Sequence, residues 1–236
     1  MIVLLLYLQA MSQGLENISI NVNQKIYLKD PESSSLGKKI LSESIHLIDE
    51  IGFDEFTFRK LATAINSTEA SVYRYFENKH KLLLYLTSWY WAWMEYRLMF
   101  AITNIECPRK RLLRSVKLVT EQIQQDGNIP HINEIKLSNI LVSESAKAYM
   151  TKSVVDENKI GAFSGYKQLV QRISNIIIEI NPNYKYSHML VSTIIEGSHH
   201  QRFFSEHLPK LTDSVEGEDS ITCFYCDLIF NAIDNE

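Results

Sequence analysis

Cysteine is scarce in this 236-residue chain: three residues, at 107, 223 and 226, cannot form an even disulfide framework. That excludes a small secreted scaffold and points to a reducing cytoplasm. No apolar run reaches the ~20 residues a membrane span needs, and the greasy start MIVLLLYLQAM lacks the basic flank and small-residue cleavage site of a secretory signal. A translation start at Met11 accounts for that segment, with a short anchor or partner-binding segment as the alternative. There is no Gly-rich phosphate loop and no Ser-centred nucleophile elbow, so neither nucleotide hydrolysis nor acyl transfer is indicated. Excess positive charge is also missing, since the net charge is −4.

What is present is a chain with 45% apolar and 22% charged residues, enough to bury a sizeable core in one or two domains. Proline marks helix boundaries. Asp30-Pro31-Glu32 reads as the N-cap, first-turn proline and favourable charge that open a first helix running to about Ile51, while Pro108, Pro130 and Pro182 mark later breaks. Residues 18–28 alternate apolar and polar and fit an extended arm or a short strand.

The stretch 57–79, TFRKLATAINSTEASVYRYFENK, carries the most information. Phe58, Leu61, Ala62 and Ile65 recur at helical spacing behind a Thr57 N-cap. Asn66 tolerates the left-handed turn that ends this helix, and Thr68 caps a second one in which Val72 and Phe76 face inward. That leaves Glu69, Ala70, Ser71, Tyr73 and Arg74 outward or on the flanks. The major groove of B-DNA admits one such helix, whose leading residues must be short or hydrogen-bonding to reach base edges. Tyr73, Tyr75 and Lys79 carry groups that meet phosphate, as do the free N–H groups at the helix start near Asn78. A helical hairpin without a ligand has the same spacing, so geometry alone leaves both readings open.

The string from Leu36 to Leu82, with its IGFDEFT turn at 51–57 and its Tyr73-Arg74-Tyr75-Phe76 element followed by Asn78 and Lys79, resembles the TetR family of bacterial transcriptional regulators. The resemblance implies an all-α fold: an N-terminal three-helix helix-turn-helix DNA-binding domain followed by an all-helical ligand-binding and dimerisation domain. Residues 1–29 become an extension, 30–82 the DNA-binding domain and 83–236 the second domain. Carried over position by position, it makes Thr57, Arg59, Thr68, Tyr73, Tyr75 and Lys79 phosphate contacts, and Ala70, Ser71 and Arg74 base-proximal ones. Two positions depart from the family pattern. Asn66 replaces a usual glycine, and Glu69 stands where lysine is frequent, so that it either accepts from a cytosine amino group or weakens binding.

Charge is distributed unevenly along the chain. Across 36–82 seven basic residues meet seven acidic ones, but within 57–82 five basic residues face only Glu69 and Glu77, a net of +3 where the groove would lie. Acidic residues gather near the C-terminus, from Asp213 to Glu236.

Beyond the reader the pattern is helical, with segments at 79–103, 109–125, 131–151, 158–180, 184–207 and 218–233. The first is apolar on nearly all sides, which predicts burial on nearly all sides. The resemblance implies that part of its surface lines a cavity for a small, partly apolar effector, with Trp89, Trp93, Tyr96, Phe100, Tyr166 and His199 as candidate ligand-binding residues. The last two segments look like the helix pair that joins two copies in this family, so the partners expected are double-stranded DNA, an effector and a second copy of the chain, with no membrane. Glu196-x-x-His199 has the spacing of carboxylate-bridged metal sites, but Glu43–His46 and Glu77–His80 repeat it, so no metal, cofactor or catalytic residue is assigned. Cys223-x-x-Cys226 has redox spacing without the βαβ setting that gives it meaning. The reading is a cytoplasmic, non-enzymatic, ligand-responsive repressor acting as a homodimer on a palindromic operator. The alternative is a helical interaction module that keeps the fold and has lost DNA binding.

Overall fold

The computed structural model describes residues 20–213, 215 and 217–234; the proposed start at Met11 lies outside them. Among the described residues there are helices and turns but no strand. The helices are α1 (Ser35–Glu55), α2 (Phe58–Ala64), α3 (Glu69–Tyr73), α4 (Lys79–Ile102), α5 (Pro108–Thr120), α6 (Glu134–Tyr149), α7 (Val154–Lys159), α8 (Ser164–Ile180), α9 (Ser187–His207) and α10 (Ser220–Asp234). Short 3-10 turns occupy Gln24–Ile26, Pro31–Ser33 and Pro209–Leu211.

The first helix does not open at Asp30. Asp30 caps the separate turn Pro31–Ser33 by accepting from the Glu32 N–H at 2.9 Å, and the chain then extends at Ser34, whose hydroxyl caps α1 by accepting from Gly37 N–H. The doubling back has a steric cause. The Pro31 backbone lies across the start of α1 so closely that a Cβ on residue 37 would sit 2.2 Å from the Pro31 carbonyl oxygen. At its other end α1 turns at Gly52, whose φ of 76° only glycine adopts without strain. The extended arm expected at 18–28 is instead an irregular segment interrupted by the turn at Gln24–Ile26, with Ile20 and Ile26 buried and Tyr27 edge-on to Tyr85.

The turn chemistry read from 57–79 holds. Thr57 and Thr68 accept from the N–H groups of Lys60 and Ser71, and Asn66 adopts a φ of 53°. The single helix expected over 158–180 is two, because Gly161 (φ 83°) closes α7 and redirects the chain into α8.

α4 is the axis of the molecule. It packs against α5, α6 and α8, and Leu82 to Trp91 are all buried, as uniform apolarity requires. Each large apolar side chain so buried contributes roughly 1.5–3 kcal/mol. The approach of α8 is close, since a Cβ at Gly165 would meet the Ala92 nitrogen at 2.8 Å. α4 begins in the helix-turn-helix and ends in the C-terminal body, so the boundary expected at residue 82 falls inside one continuous helix. α6 packs against both α1 and α4, and α9 with α10 forms the outer layer. None of the described helices is long and apolar enough to cross a membrane.

Candidate nucleic-acid interface

The helix-turn-helix is assembled around a small core of Phe56, Leu61, Val72 and Phe76, each without exposed surface. Burying these four leaves the opposite side of α2 and α3 exposed: Thr57, Arg59, Thr68, Glu69, Ala70, Tyr73 and Arg74 face solvent, with Ser71 half-buried among them. α3 is only five residues long, and its outer side is organised before any ligand arrives. The Thr68 and Ser71 hydroxyls are 3.0 Å apart, and Arg74 Nη2 donates to Ser71 Oγ at 3.1 Å. The Tyr73 ring lies edge-on to Phe58 at 5.0 Å, which anchors it while about half of the side chain stays exposed.

Two candidate phosphate contacts are taken into the fold instead. Tyr75 is 2% exposed, its hydroxyl 2.8 Å from Ser34 Oγ, because it fills the gap between α3 and the start of α1. Lys79 points at the turn after α1, where its ammonium donates to the carbonyls of Phe53, Asp54 and Phe56 at 2.9–3.0 Å and lies over the Phe53 ring. These carbonyls are left orphaned when Gly52 breaks the helix, and a cation is the group best able to satisfy several at once.

Other lysines are similarly committed. Lys60 binds the Glu55 carbonyl and carboxylate, Lys39 the Ile65 carbonyl, and Lys81 shares the buried Glu157 carboxylate with His80 at 3.0 and 2.8 Å. Of the five basic residues counted in 57–82, Arg59 and Arg74 remain available on the outer face, against Glu69 and Glu77. Glu55 and Glu157 neutralise Lys60 and Lys81, while Lys79 keeps its charge but turns it inward to carbonyls, so the net charge expected there as +3 falls to about +1.

The turn at Gly52 is also held from the C-terminal body, by residues no sequence signal marks. Glu144 of α6, 8% exposed, accepts from the Phe53 N–H at 3.0 Å, and Lys147 bridges Glu144 and Asp54 at 2.8 and 2.7 Å. The Lys147 ammonium holds the Asp54 carboxyl below the usual range and is itself raised by its two carboxylate partners. Lys136 of the same helix pairs with Asp49.

Residues 40–86 match the family model described as bacterial regulatory proteins, tetR family. That segment is a tetR-family helix-turn-helix domain. No match was found among curated proteins. Solved structures share the fold at low identity. Superantigen PfiT aligns at 15% identity and a TM-score of 0.58, covering 86% of this chain and 97% of its own. AibR in complex with isovaleryl coenzyme A and operator DNA aligns at 15% and 0.55, covering 81% and 97%. The fatty acid degradation regulator FadR from Bacillus halodurans aligns at 15% and 0.54, covering 83% and 96%.

Next to this tetR-family domain, the aromatic stripe of α4 is packed at its start and open at its end. Trp89 and Trp93 stack at 6.1 Å and are 1% exposed, so they are core; Tyr96 is half-buried against Phe100, which is largely exposed. Open space borders α6 and α9, with further crevices of about 350 and 210 Å³ beside α10. A crevice of about 350 Å³ is bordered by Asp49, Asn139, Val142, Arg202 and Phe203, and a smaller one of about 70 Å³ beside it reaches Tyr90, Ser138 and His199. Of the six candidate ligand residues only His199 borders it. Arg202 is already bound to Asp219 and the Thr120 carbonyl.

Tyr166 belongs to a polar knot behind that crevice. The Glu196 carboxylate accepts from the hydroxyls of Tyr149 and Tyr166 at 2.9 and 2.8 Å, and Trp91 is stacked between Tyr166 and His199. Burial and the Glu196 charge push the Tyr149 phenol up to about 12 and Tyr166 further; burial pushes His199 down to about 4, against the pull of Glu196. The Glu196-x-x-His199 pair is thus spent on tyrosines and a tryptophan, and no group of three or more His, Cys, Asp or Glu among the described residues is arranged to hold a metal. Cys223 is exposed and Cys226 buried, both free; Glu218 raises the first thiol and burial the second.

On the outer layer Ile194, Ile195, Ile229 and Ile233 turn into the chain's own core. Met189 and Phe224 are left largely exposed, with Leu190, Phe203, Phe204 and Leu228 half-buried around them.

Proposed function

We propose that this regulator is a ligand-responsive repressor that binds a palindromic operator as a homodimer. The observation that carries the reading is the outer side of α3, where Thr68, Ser71 and Arg74 are pre-ordered by one another beside an exposed Ala70 that leaves room for a base edge. Thr57, Arg59 and Tyr73 supply phosphate contacts around it, and Glu69 at the front of α3 accepts from a cytosine amino group. The apolar surface of α9 and α10 pairs with its symmetry mate, presenting two α3 helices ~34–36 Å apart. A small molecule entering the crevice between α6 and α9 favours a conformation in which those helices are mis-spaced, so operator affinity falls. AibR, solved with both isovaleryl coenzyme A and operator DNA, is one protein of this fold that accommodates the two together.

The direct measurement is a gel shift with the DNA flanking the protein's own gene. Specific, salt-sensitive retardation is expected, weakened about five-fold or more by Arg74→Ala, since a good side-chain contact to a base is worth about 1–3 kcal/mol. Absence of specific retardation, with Arg59→Ala and Arg74→Ala behaving as the parent, would instead favour the second reading, an interaction module that kept the fold without reading DNA. The commitment of Lys60, Lys79 and Lys81 to internal partners is what speaks for that reading.

A further inference from the structure

With Lys39, Lys60, Lys79 and Lys81 turned to internal partners, the helix-turn-helix offers few cations to a polyanion beyond Arg59 and Arg74, and a further one comes from the segment before it. The N-terminal segment runs past the exit of α3: the Leu28 N–H donates to the Tyr75 carbonyl at 2.8 Å, fixing the next residue beside the recognition helix. Lys29 is exposed, its ammonium 5.0 Å above the Tyr75 ring, and no carboxylate among the described residues pairs with it. The neighbouring Asp30 is occupied in capping its own turn. Burial raises the Tyr75 phenol, yet the Ser34 hydroxyl bonded to it and the nearby charges of Lys29 and Arg74 hold it below the usual tyrosine range.

We propose that residues 27–30 are part of the DNA interface and that Lys29 neutralises a backbone phosphate beside Arg74. The buried Tyr75 then serves as a platform: its carbonyl fixes the arm, its ring face carries the ammonium, and its hydroxyl is tied to α1. This explains the withdrawal of Tyr75 from the surface without loss of a phosphate contact at that corner, because the ring positions a cation there. The inference rests on the DNA-binding reading.

Salt dependence tests it without a known operator. Binding of the full-length protein to a 30-base-pair mixed-sequence duplex is measured by fluorescence anisotropy across salt concentrations. Lys29→Met keeps the aliphatic stem over Tyr75 and removes the charge. Each lost phosphate contact should make the slope of log K against log salt shallower by about 0.9. Lys29→Met is expected to show that change, Lys29→Arg to restore the parent slope, and Lys110→Ala, on the far helix α5, to leave it unaltered. A Lys29→Met slope equal to the parent's, with Arg74→Ala shallower, overturns the arm's role while leaving DNA binding intact. A parent protein that fails to bind the duplex overturns both. Circular dichroism of each variant identifies unfolding, and Lys29→Gln replaces any variant that fails that check.

Discussion

His199 shows how a residue's chemistry is decided by its surroundings. Burial depresses its pKa from 6.5 to about 4, with Glu196 pulling upward, His200 downward, and Trp91 stacked on the ring. The unfolded chain takes up a proton near pH 6.5 while the folded one resists until about pH 4, so the unfolded state binds more protons between those values. Stability therefore falls as pH drops through that window, by up to about 3 kcal/mol. Urea midpoints measured from pH 7.5 to 4.5 should decline, and His199→Phe, which keeps a ring against Trp91, should flatten the decline. Equal slopes for the two proteins would remove His199 as the source. The carboxylates held low by cations, Asp54, Asp219 and Asp234, act below this window and do not confuse it.

At the scale of the element, Lys79 carries the clearest departure from sequence reasoning. If it caps the end of α1, Lys79→Met should cost about 2 kcal/mol of stability, the range for hydrogen bonds to a charged donor, with no change in the salt slope of DNA binding. A shallower slope with unchanged stability would return Lys79 to the phosphate. The helices, the caps at Thr57 and Thr68 and the left-handed Asn66 were legible because each depends on neighbours within four residues. The partners of Lys79 lie 23 to 26 residues away, and Glu144 reaches Phe53 across 91. No local pattern encodes those distances, which is why the charge count over 57–82 overstated the cations on offer. The aromatic stripe of α4 misled for a related reason: Trp89 and Trp93 look the same in sequence whether they face a cavity or another helix.

For the whole molecule, the charge and apolar surfaces divide the labour: cations near α3, exposed Met189 and Phe224 on the outer layer, acids toward the C-terminus. Phe224→Glu places a charge in the middle of the proposed seam. Sedimentation should find a folded monomer where the parent is a dimer, and binding to a two-half-site duplex should fall to that of a single reader; an unchanged dimer would move the seam elsewhere.

The contact at Gly165 bears on how such a molecule can respond at all. With no side chain between them, α8 and α4 meet backbone to backbone at Ala92, and neither can slide or roll by a residue without collision. Those two helices therefore behave as one beam. Any adjustment between the C-terminal body and the helix-turn-helix therefore falls to the beam's other side, to α6, whose grip on the Gly52 turn is a handful of polar bonds that can break and re-form one at a time.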